Sequence, residues 1–402
     1  MKLLKKLLSI SIAAAMAGTC LASCGAVDGA NNGGSNNAGS AAGDENTIVI
    51  GGSGPLTGSA AQYGLGVKNA VELAVKDVNE SGMLGDTKLS VVFEDDEADP
   101  ADKAINAYNT LKDKGMDIMV GTVTTGSCLA VIDQSASDNI FQITPSASAL
   151  DVIRNDNCFQ VCFTDPNQGK ASADYIADNS IASKIAVIYD SSDAYSSGIF
   201  NTFKAEAASK GLEIVTEQSF TKDSKTDFSA QISAAKNAGA ELVFLPIYYQ
   251  EASLILSQSA SADYKPIFFG CDGLDGILTV ENFDLSLAEG VMLLTPFAAD
   301  ASDEATQKFV ESYKAAYGGE IPNQFAADAY DSVMIVATLI KQQGITADMS
   351  ASEMCDKLKS AISAGFTYDG LTGEKMNWSP DGSVSKNPKA VVIKDGAYSA
   401  LQ

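Results

Sequence analysis

From Thr47 onward, short apolar runs alternate with longer stretches in which apolar residues recur every three or four positions. Residues 47–50 are β-branched and predict a strand that ends in Gly51-Gly52. Between residues 60 and 79, Leu65, Ala70, Val71, Leu73, Ala74, Val75 and Val78 fall near i, i+3, i+4 spacing, which predicts an amphipathic helix stopped at Ser81-Gly82. A strand is expected over 89–93. The next helix is expected to open at Asp99-Pro100, with Asp as N-cap and Pro at the first helical position. The same alternation predicts strands near 118–120, 140–143, 184–189, 212–216, 241–246 and 266–269. Helices are expected between them, near 129–136, 171–177, 195–209, 228–238 and 251–259.

Strand then helix, repeated over more than 200 residues of this chain, predicts an α/β protein whose parallel sheets carry helices on both faces. Two rounds of the unit fit two doubly wound lobes. In such sheets ligands sit beyond the carboxyl ends of the strands, so the loops after the strands are the candidate site. They are rich in hydroxyls and small residues, carry tyrosines, and contain no lysine or arginine: 51–58, 121–127, 144–148, 190–195, 247–250 and 270–273. The first loop is not a dinucleotide fingerprint, because Thr57 stands where the third glycine of GxGxxG would fall, and no GxxxxGK[ST] occurs. Thr124-Thr125-Gly126-Ser127 opens a helix, and free N–H groups and hydroxyls there suit a small carboxylate, with ordinary helix capping as the alternative. Asp272 follows an apolar strand and suits an ammonium group, with a solvated turn aspartate as the alternative. The acidic run 94–97 lacks the spacing and glycine of a calcium loop, so no metal site is expected.

The chain begins with a different pattern. Lys2, Lys5 and Lys6 precede a short apolar run, and Leu21-Ala22-Ser23-Cys24-Gly25 follows. A basic segment, a short apolar segment and small residues before a cleavage point read as an export signal over 1–23. The sequence around Cys24 resembles a bacterial lipobox, which implies lipid on its thiol. Residues 25–46, nearly all Gly, Asn, Ala and Ser, read as a flexible tether of roughly 25 Å r.m.s. reach. No later stretch is apolar for long enough to span a bilayer. The formal charge is −24 with 51 acids, and there is no histidine. So acidic a surface repels nucleic acid. Without histidine, Ser-His-Asp and Cys-His catalysis and HExxH zinc sites are excluded. The body cysteines are Cys128, Cys158, Cys162, Cys271 and Cys355. Their odd number prevents full pairing, and buried or free thiols are expected.

Taken together, six motifs resemble the periplasmic binding proteins of the leucine/isoleucine/valine type, the capture subunits of ABC importers. They are Gly-Pro-Leu-Thr-Gly with Gln62-Tyr63-Gly64, Val-Asn-Glu-Ser-Gly-Met-Leu-Gly (78–85), Glu-Asp-Asp with Asp99-Pro100, Val-Gly-Thr-Val-Thr-Thr-Gly-Ser (120–127), Ile-Thr-Pro-Ser-Ala-Ser (143–148) and Phe-Phe-Gly-Cys-Asp-Gly (268–273). The resemblance implies two lobes joined by a three-crossover hinge, with crossovers near 164–167, 295–298 and 386–389. The first lobe would comprise 47–165 plus 297–386 and the second 166–296 plus 387–402, behind the signal (1–23) and the lipidated tether (24–46). It implies that Thr125 and Ser148 hold the α-carboxylate of an amino acid. The Ser146 carbonyl and Asp272 would hold the ammonium, and Tyr63, Tyr195 and Tyr248 would surround the cleft. Aspartate at 272 and serine at 148 depart from the leucine-type glutamate and threonine. Ala98 and Thr124 stand where that type has a disulfide. The implied function is capture of a branched-chain or similar aliphatic amino acid by a monomer anchored outside the cell membrane through Cys24. ABC permease and ATPase subunits would be its partners, and neither catalysis nor a cofactor is expected. A sensing module of the same fold, reporting to a membrane receptor, is the alternative.

Overall fold

The structure, a computed structural model, describes residues 46–401. The expected signal, Cys24 and almost all of the tether lie outside the described residues. Strands β1 (Thr47–Gly54), β2 (Lys88–Asp95), β3 (Ile118–Val120), β4 (Phe141–Thr144) and β5 (Cys158–Gln160) form one parallel sheet in the order β2-β1-β3-β4-β5. A second sheet contains β6 (Lys184–Asp190), β7 (Glu213–Phe220), β8 (Leu242–Leu245), β9 (Ile267–Gly270) and β10 (Met292–Thr295). A small antiparallel pair, β11 (Thr367–Tyr368) and β12 (Met376–Asn377), stands apart. The chain then adds β13 (Lys389–Lys394) and β14 (Ala397–Ala400) to the second sheet, giving the order β14-β13-β10-β9-β8-β6-β7. These last two strands are antiparallel to their neighbours, so the second sheet is mixed.

The helices are α1 (Ala61–Ser81), α2 (Ala101–Asp113), α3 (Thr125–Ser137), α4 (Asp165–Asp178), α5 (Ala194–Lys210), α6 (Ser229–Asn237), α7 (Tyr249–Ser261), α8 (Glu304–Ala316), α9 (Gln324–Gln343) and α10 (Ala351–Ser363). The central strands β3, β4 and β8 are buried along their whole length, as parallel strands covered on both faces must be. Helix α1 stops where Gly82 adopts a left-handed conformation with φ 64°. Within α1, Gly64 passes so close to the turn after β1 that a Cβ there would lie 2.0 Å from the Pro55 carbonyl oxygen. One local expectation is corrected. Helix α2 begins at Ala101, and Pro100, with extended φ −83° and ψ 165°, occupies the cap position itself. Asp99 is therefore one residue too early to cap it.

The chain leaves the first sheet after Gln160 and enters the second at Lys184. It leaves again after Thr295, packs α9 against α1 and α10 against β4, and re-enters the second sheet at Lys389. Two lobes thus share three connections. In the last of these, Lys386 is buried. Its Nζ donates to Asp328 Oδ1 and to Thr372 Oγ1, both at 2.6 Å. All five body cysteines are buried and free, as expected. No helix of the described residues is long and apolar enough to cross a membrane.

Candidate functional site

The loops after the strands converge between the lobes. Thr125 is the first residue of α3, directly after the β3 loop, and Ser146 and Ser148 follow β4. Asp272 lies two residues beyond β9, in a short 3-10 turn. A cavity is lined by Tyr63, Thr125, Ser146, Tyr195, Tyr248 and Asp272. Six of the seven residues singled out in the sequence therefore meet there. Val123, Thr124, Gly273 and Phe325 complete the lining. The seventh, Ser148, stands behind Thr125: its N–H donates to Thr125 Oγ1 at 3.3 Å, and its own hydroxyl is buried without a partner.

Asp272 is the anchor of the second lobe. Tyr195 Oη donates to its Oδ1 at 2.6 Å and Gln168 Nε2 to its Oδ2 at 3.1 Å. The Asp272 N–H returns a bond to Gln168 Oε1 at 3.2 Å. Gly273 must be glycine, because a Cβ there would lie 2.6 Å from both the Ile247 carbonyl oxygen and Tyr195 Oη. Burial pushes the Asp272 carboxyl up to about 7; the Tyr195 hydroxyl, the Gly273 N–H and Gln168 oppose this, while the Asp328 charge adds to it. Burial likewise keeps the Tyr195 proton on its oxygen. Among the described residues, no lysine or arginine lines the cavity to balance Asp272.

The opposite wall is built to receive the other sign. The first-turn N–H groups of Thr125, Gly126 and Ser127 have no intrahelical acceptor, and the helix dipole places partial positive charge there. The cap residue Thr124 does not occupy them; its hydroxyl donates to Ser127 Oγ at 3.1 Å instead. Thr125 Oγ1 accepts the N–H of Ser148 and, at 3.5 Å, that of Ala149. With its acceptor capacity engaged, its proton is the group left to donate. Ser146 Oγ donates to the Val123 carbonyl at 2.6 Å, which ties the β3 and β4 loops together.

Aromatic rings close the space. Tyr63 packs edge-on to Tyr248 at 5.5 Å and tilted on Phe325 at 4.6 Å, while Tyr195 and Tyr248 stack at 5.1 Å. Hydrogen bonds cross from lobe to lobe. The Tyr63 hydroxyl donates to the Gly273 carbonyl, and the Tyr249 N–H donates to Tyr63 Oη at 3.3 Å. Gln324 Nε2 reaches the Asp272 carbonyl at 3.3 Å, and the Gln324 N–H donates to Asp275 Oδ2 at 2.9 Å. The cavity left is about 20 Å³, the room of one water. Anything larger enters only when the lobes or the rings of Tyr63 and Tyr248 move apart.

Sequence reasoning missed Phe325, Gln168 and Gln324. Gln168 and Gln324 sit in the first turns of α4 and α9. Pro-Asn-Gln occurs inside the first turn of α4 (166–168) and at the start of α9 (322–324), but nothing local says that both glutamines meet Asp272, Gln168 at the carboxylate and Gln324 at the carbonyl.

Two doubly wound lobes that share three connections and meet over a buried polar cleft define the type I periplasmic-binding-protein fold. The chain belongs to the periplasmic binding protein family, whose model matches residues 47–397. It is 32% identical over 307 residues to the Leu/Ile/Val-binding protein homolog 3 of Brucella melitensis, covering 76% of this chain and 81% of the relative. It is 28% identical over 301 residues to the leucine-, isoleucine-, valine-, threonine-, and alanine-binding protein of Pseudomonas aeruginosa, covering 74% and 79%. Among solved structures, it is similar to the branched-chain amino acid transporter substrate binding protein of Streptococcus pneumoniae, crystallised with isoleucine. The TM-score is 0.79 at 25% identity, covering 88% of this chain and 99% of that one.

Proposed function

We propose that this protein captures an amino acid between its lobes and hands it to an ABC importer. The observation that carries the reading is the pair of opposite ends facing one cavity: the unbalanced Asp272 carboxylate on one side, and the free N–H groups and Thr125 hydroxyl of the α3 N-terminus on the other. A zwitterion satisfies both at once, and charge-assisted bonds in a desolvated cleft are the strong ones. Ser146 offers its backbone carbonyl to the ammonium. Ser148 supports Thr125 from behind and donates to the carboxylate once its hydroxyl turns inward. Tyr63, Tyr195 and Tyr248 exclude water around both. The relatives' names make leucine, isoleucine and valine the first candidates. Calorimetry with the twenty amino acids tests the reading. We expect at least one of them to bind, with its amine and its carboxylate both required. A protein that binds none, or binds the decarboxylated amine equally well, is not an amino-acid receptor.

The charge on Asp272 adds a pH signature. With its carboxyl at about 7 in the unliganded site, an ammonium must displace a proton below that pH. Affinity should therefore rise with pH and level off above about 7, a change of roughly 25-fold between about pH 5.5 and about pH 7.5. The raised value also means that the unliganded fold loses stability as pH climbs from about 4 to about 7, because the native state holds a proton the unfolded chain releases. Calorimetry in buffers of different ionisation enthalpy reads the proton directly. Release of no proton at about pH 6 would contradict the assignment.

The segment ahead of the fold completes the reading. Cys24 carries diacylglycerol, residues 1–23 are removed, and the tether holds a monomeric binding protein just outside the cell membrane. The hinge divides the lobes near 164–167, 295–298 and 386–389. Cys24→Ala should release the protein into the medium or leave it unprocessed, as read by fractionation and mass spectrometry. A Cys24→Ala protein that stays membrane-bound at the mature length would refute the anchor.

A further inference from the structure

A second, much larger cavity of about 680 Å³ lies beside the first. Gln62, Asn323 and Gln324 separate the two, and their neighbours Tyr63 and Phe325 line the amino-acid cleft while these line the larger space. Its walls come from both lobes. Leu65 on α1 and Ile321 ahead of α9 belong to the first. Leu293 on β10 and Val391 on β13 belong to the second. Phe297 lies on the connection between them. Leu65 and Ile321 are 38% and 65% exposed, so apolar surface continues from the cavity to the rim. A concave space of this size, mostly apolar with a few polar groups, is the usual form of a small-molecule site.

The charges on its wall are one-sided. Asp275, Asp300 and Glu320 line it, against a single base, Lys314. Asp275 is buried, and desolvation pushes its carboxyl up to about 6. The rings of Tyr313, Tyr398 and Phe297 supply aromatic faces, which attract cations through their quadrupoles. Apolar walls, aromatic faces and an excess of carboxylates are complementary to one chemistry. We propose that this cavity is a second ligand site that takes a small apolar cation, an aromatic or aliphatic body carrying one quaternary or primary ammonium group. It requires no carboxylate on the ligand. The α9 N-terminus reaches the wall at Asn323 and Gln324, but the Gln324 N–H already donates to Asp275 Oδ2 at 2.9 Å and the Ala326 N–H to the Asn323 cap at 2.9 Å, and the one base is outnumbered by carboxylates. In this it differs from the amino-acid cleft. It does not depend on which amino acid, if any, the cleft binds.

The test uses the mature protein and two probes of matched shape, phenethyltrimethylammonium and 3-phenylpropionate, titrated by calorimetry. The cation should bind at least about tenfold more tightly than the anion, the equivalent of one favourable charge contact. Leu65→Arg/Ile321→Arg fills the rim with bulk and positive charge at two exposed positions and should abolish cation binding. Asp300→Lys/Glu320→Lys should reverse the preference toward the anion. Asp272→Asn should leave cation binding within about threefold, because that carboxylate faces the other cavity. Circular dichroism confirms that each variant is folded. Four outcomes overturn the proposal: no cation binding up to about 1 mM, equal binding of the two probes, binding unaffected by the arginine pair, or binding lost in Asp272→Asn, which would place the cation in the amino-acid cleft.

Discussion

Replacing Asp272 with asparagine is expected to weaken amino-acid binding by roughly 30-fold to several-thousand-fold, corresponding to about 2–5 kcal/mol for a buried charge that loses its partner. The substitution keeps the shape. Asparagine can still accept from Tyr195 and lie against Gln168, the two side chains that hold the carboxylate at 2.6 and 3.1 Å. What it removes is the only negative charge lining a cavity that has no base. An ammonium then has to be desolvated against neutral dipoles. Thr125→Ala provides the internal comparison. It deletes one hydroxyl donor to a charged group, at about 1.5–3 kcal/mol, while the first-turn N–H groups of α3 remain. The loss at Asp272 should exceed the loss at Thr125. The pH dependence should vanish with the aspartate, since no other carboxylate lines the cavity. Calorimetry on both variants with the tightest-binding amino acid decides the matter. An Asp272→Asn affinity within about threefold of the parent, far short of the loss expected for an unpaired buried charge, would make Asp272 a turn residue and place the ammonium elsewhere.

Lys386→Met should destabilise the whole fold by about 3–5 kcal/mol, the usual cost of leaving one member of a buried ion pair alone. The Lys386 and Asp328 side chains are 0% and 2% exposed, and their atoms meet at 2.6 Å. Thr372 is the lysine's other partner, and its hydroxyl also donates to Asp331 at 2.7 Å. Asp331 further accepts the N–H groups of Leu371 and Thr372, each at 2.9 Å. The network ties the last connection between the lobes to α9. Burial already pushes the Asp328 carboxyl above its ordinary value, and the Lys386 charge is what opposes this. Without the lysine, Asp328 takes up a proton more readily, so the deficit should be smaller at about pH 5 than at about pH 8. Urea denaturation at the two values reads it. The double variant Lys386→Met/Asp328→Leu should recover most of the loss, because apolar replacement of a whole buried pair is often neutral. A single variant as stable as the parent at about pH 8 would show that water reaches Asp328.

Much of this was readable along the chain. Runs such as Ile118-Met119-Val120 and Leu242-Val243-Phe244-Leu245 are fully buried strands, because only a sheet covered on both faces tolerates unbroken apolar runs. Alternation with helices then placed the site beyond the strand ends, where Thr125, Ser146 and Asp272 are found. Beyond residue 270 the pattern failed. Helix α9 is buried on nearly every face, so it shows no apolar stripe to recognise. The strands β13 and β14 pair antiparallel with a sheet that the preceding alternation marks as parallel. The capping of α2 was missed by one residue because the backbone at Pro100, and not residue type, sets where the helix begins.

What the sequence determined by itself is therefore local and chemical. It decided which segments extend and which coil, that hydroxyls and one aspartate end the strands, and that no histidine is available for catalysis. Which groups share a cavity was set by long-range packing. Gln168 and Asp272 are 104 residues apart and hydrogen-bonded. Lys386 and Asp328 are 58 residues apart and buried together. Tyr63 reaches across the lobes to Gly273, 210 residues on. Pairings of this kind depend on the chain's return through three connections. The strength of each pairing is set by the low-dielectric surroundings of the packed lobes, where an unpaired polar group is costly, and residue spacing carries no record of that environment.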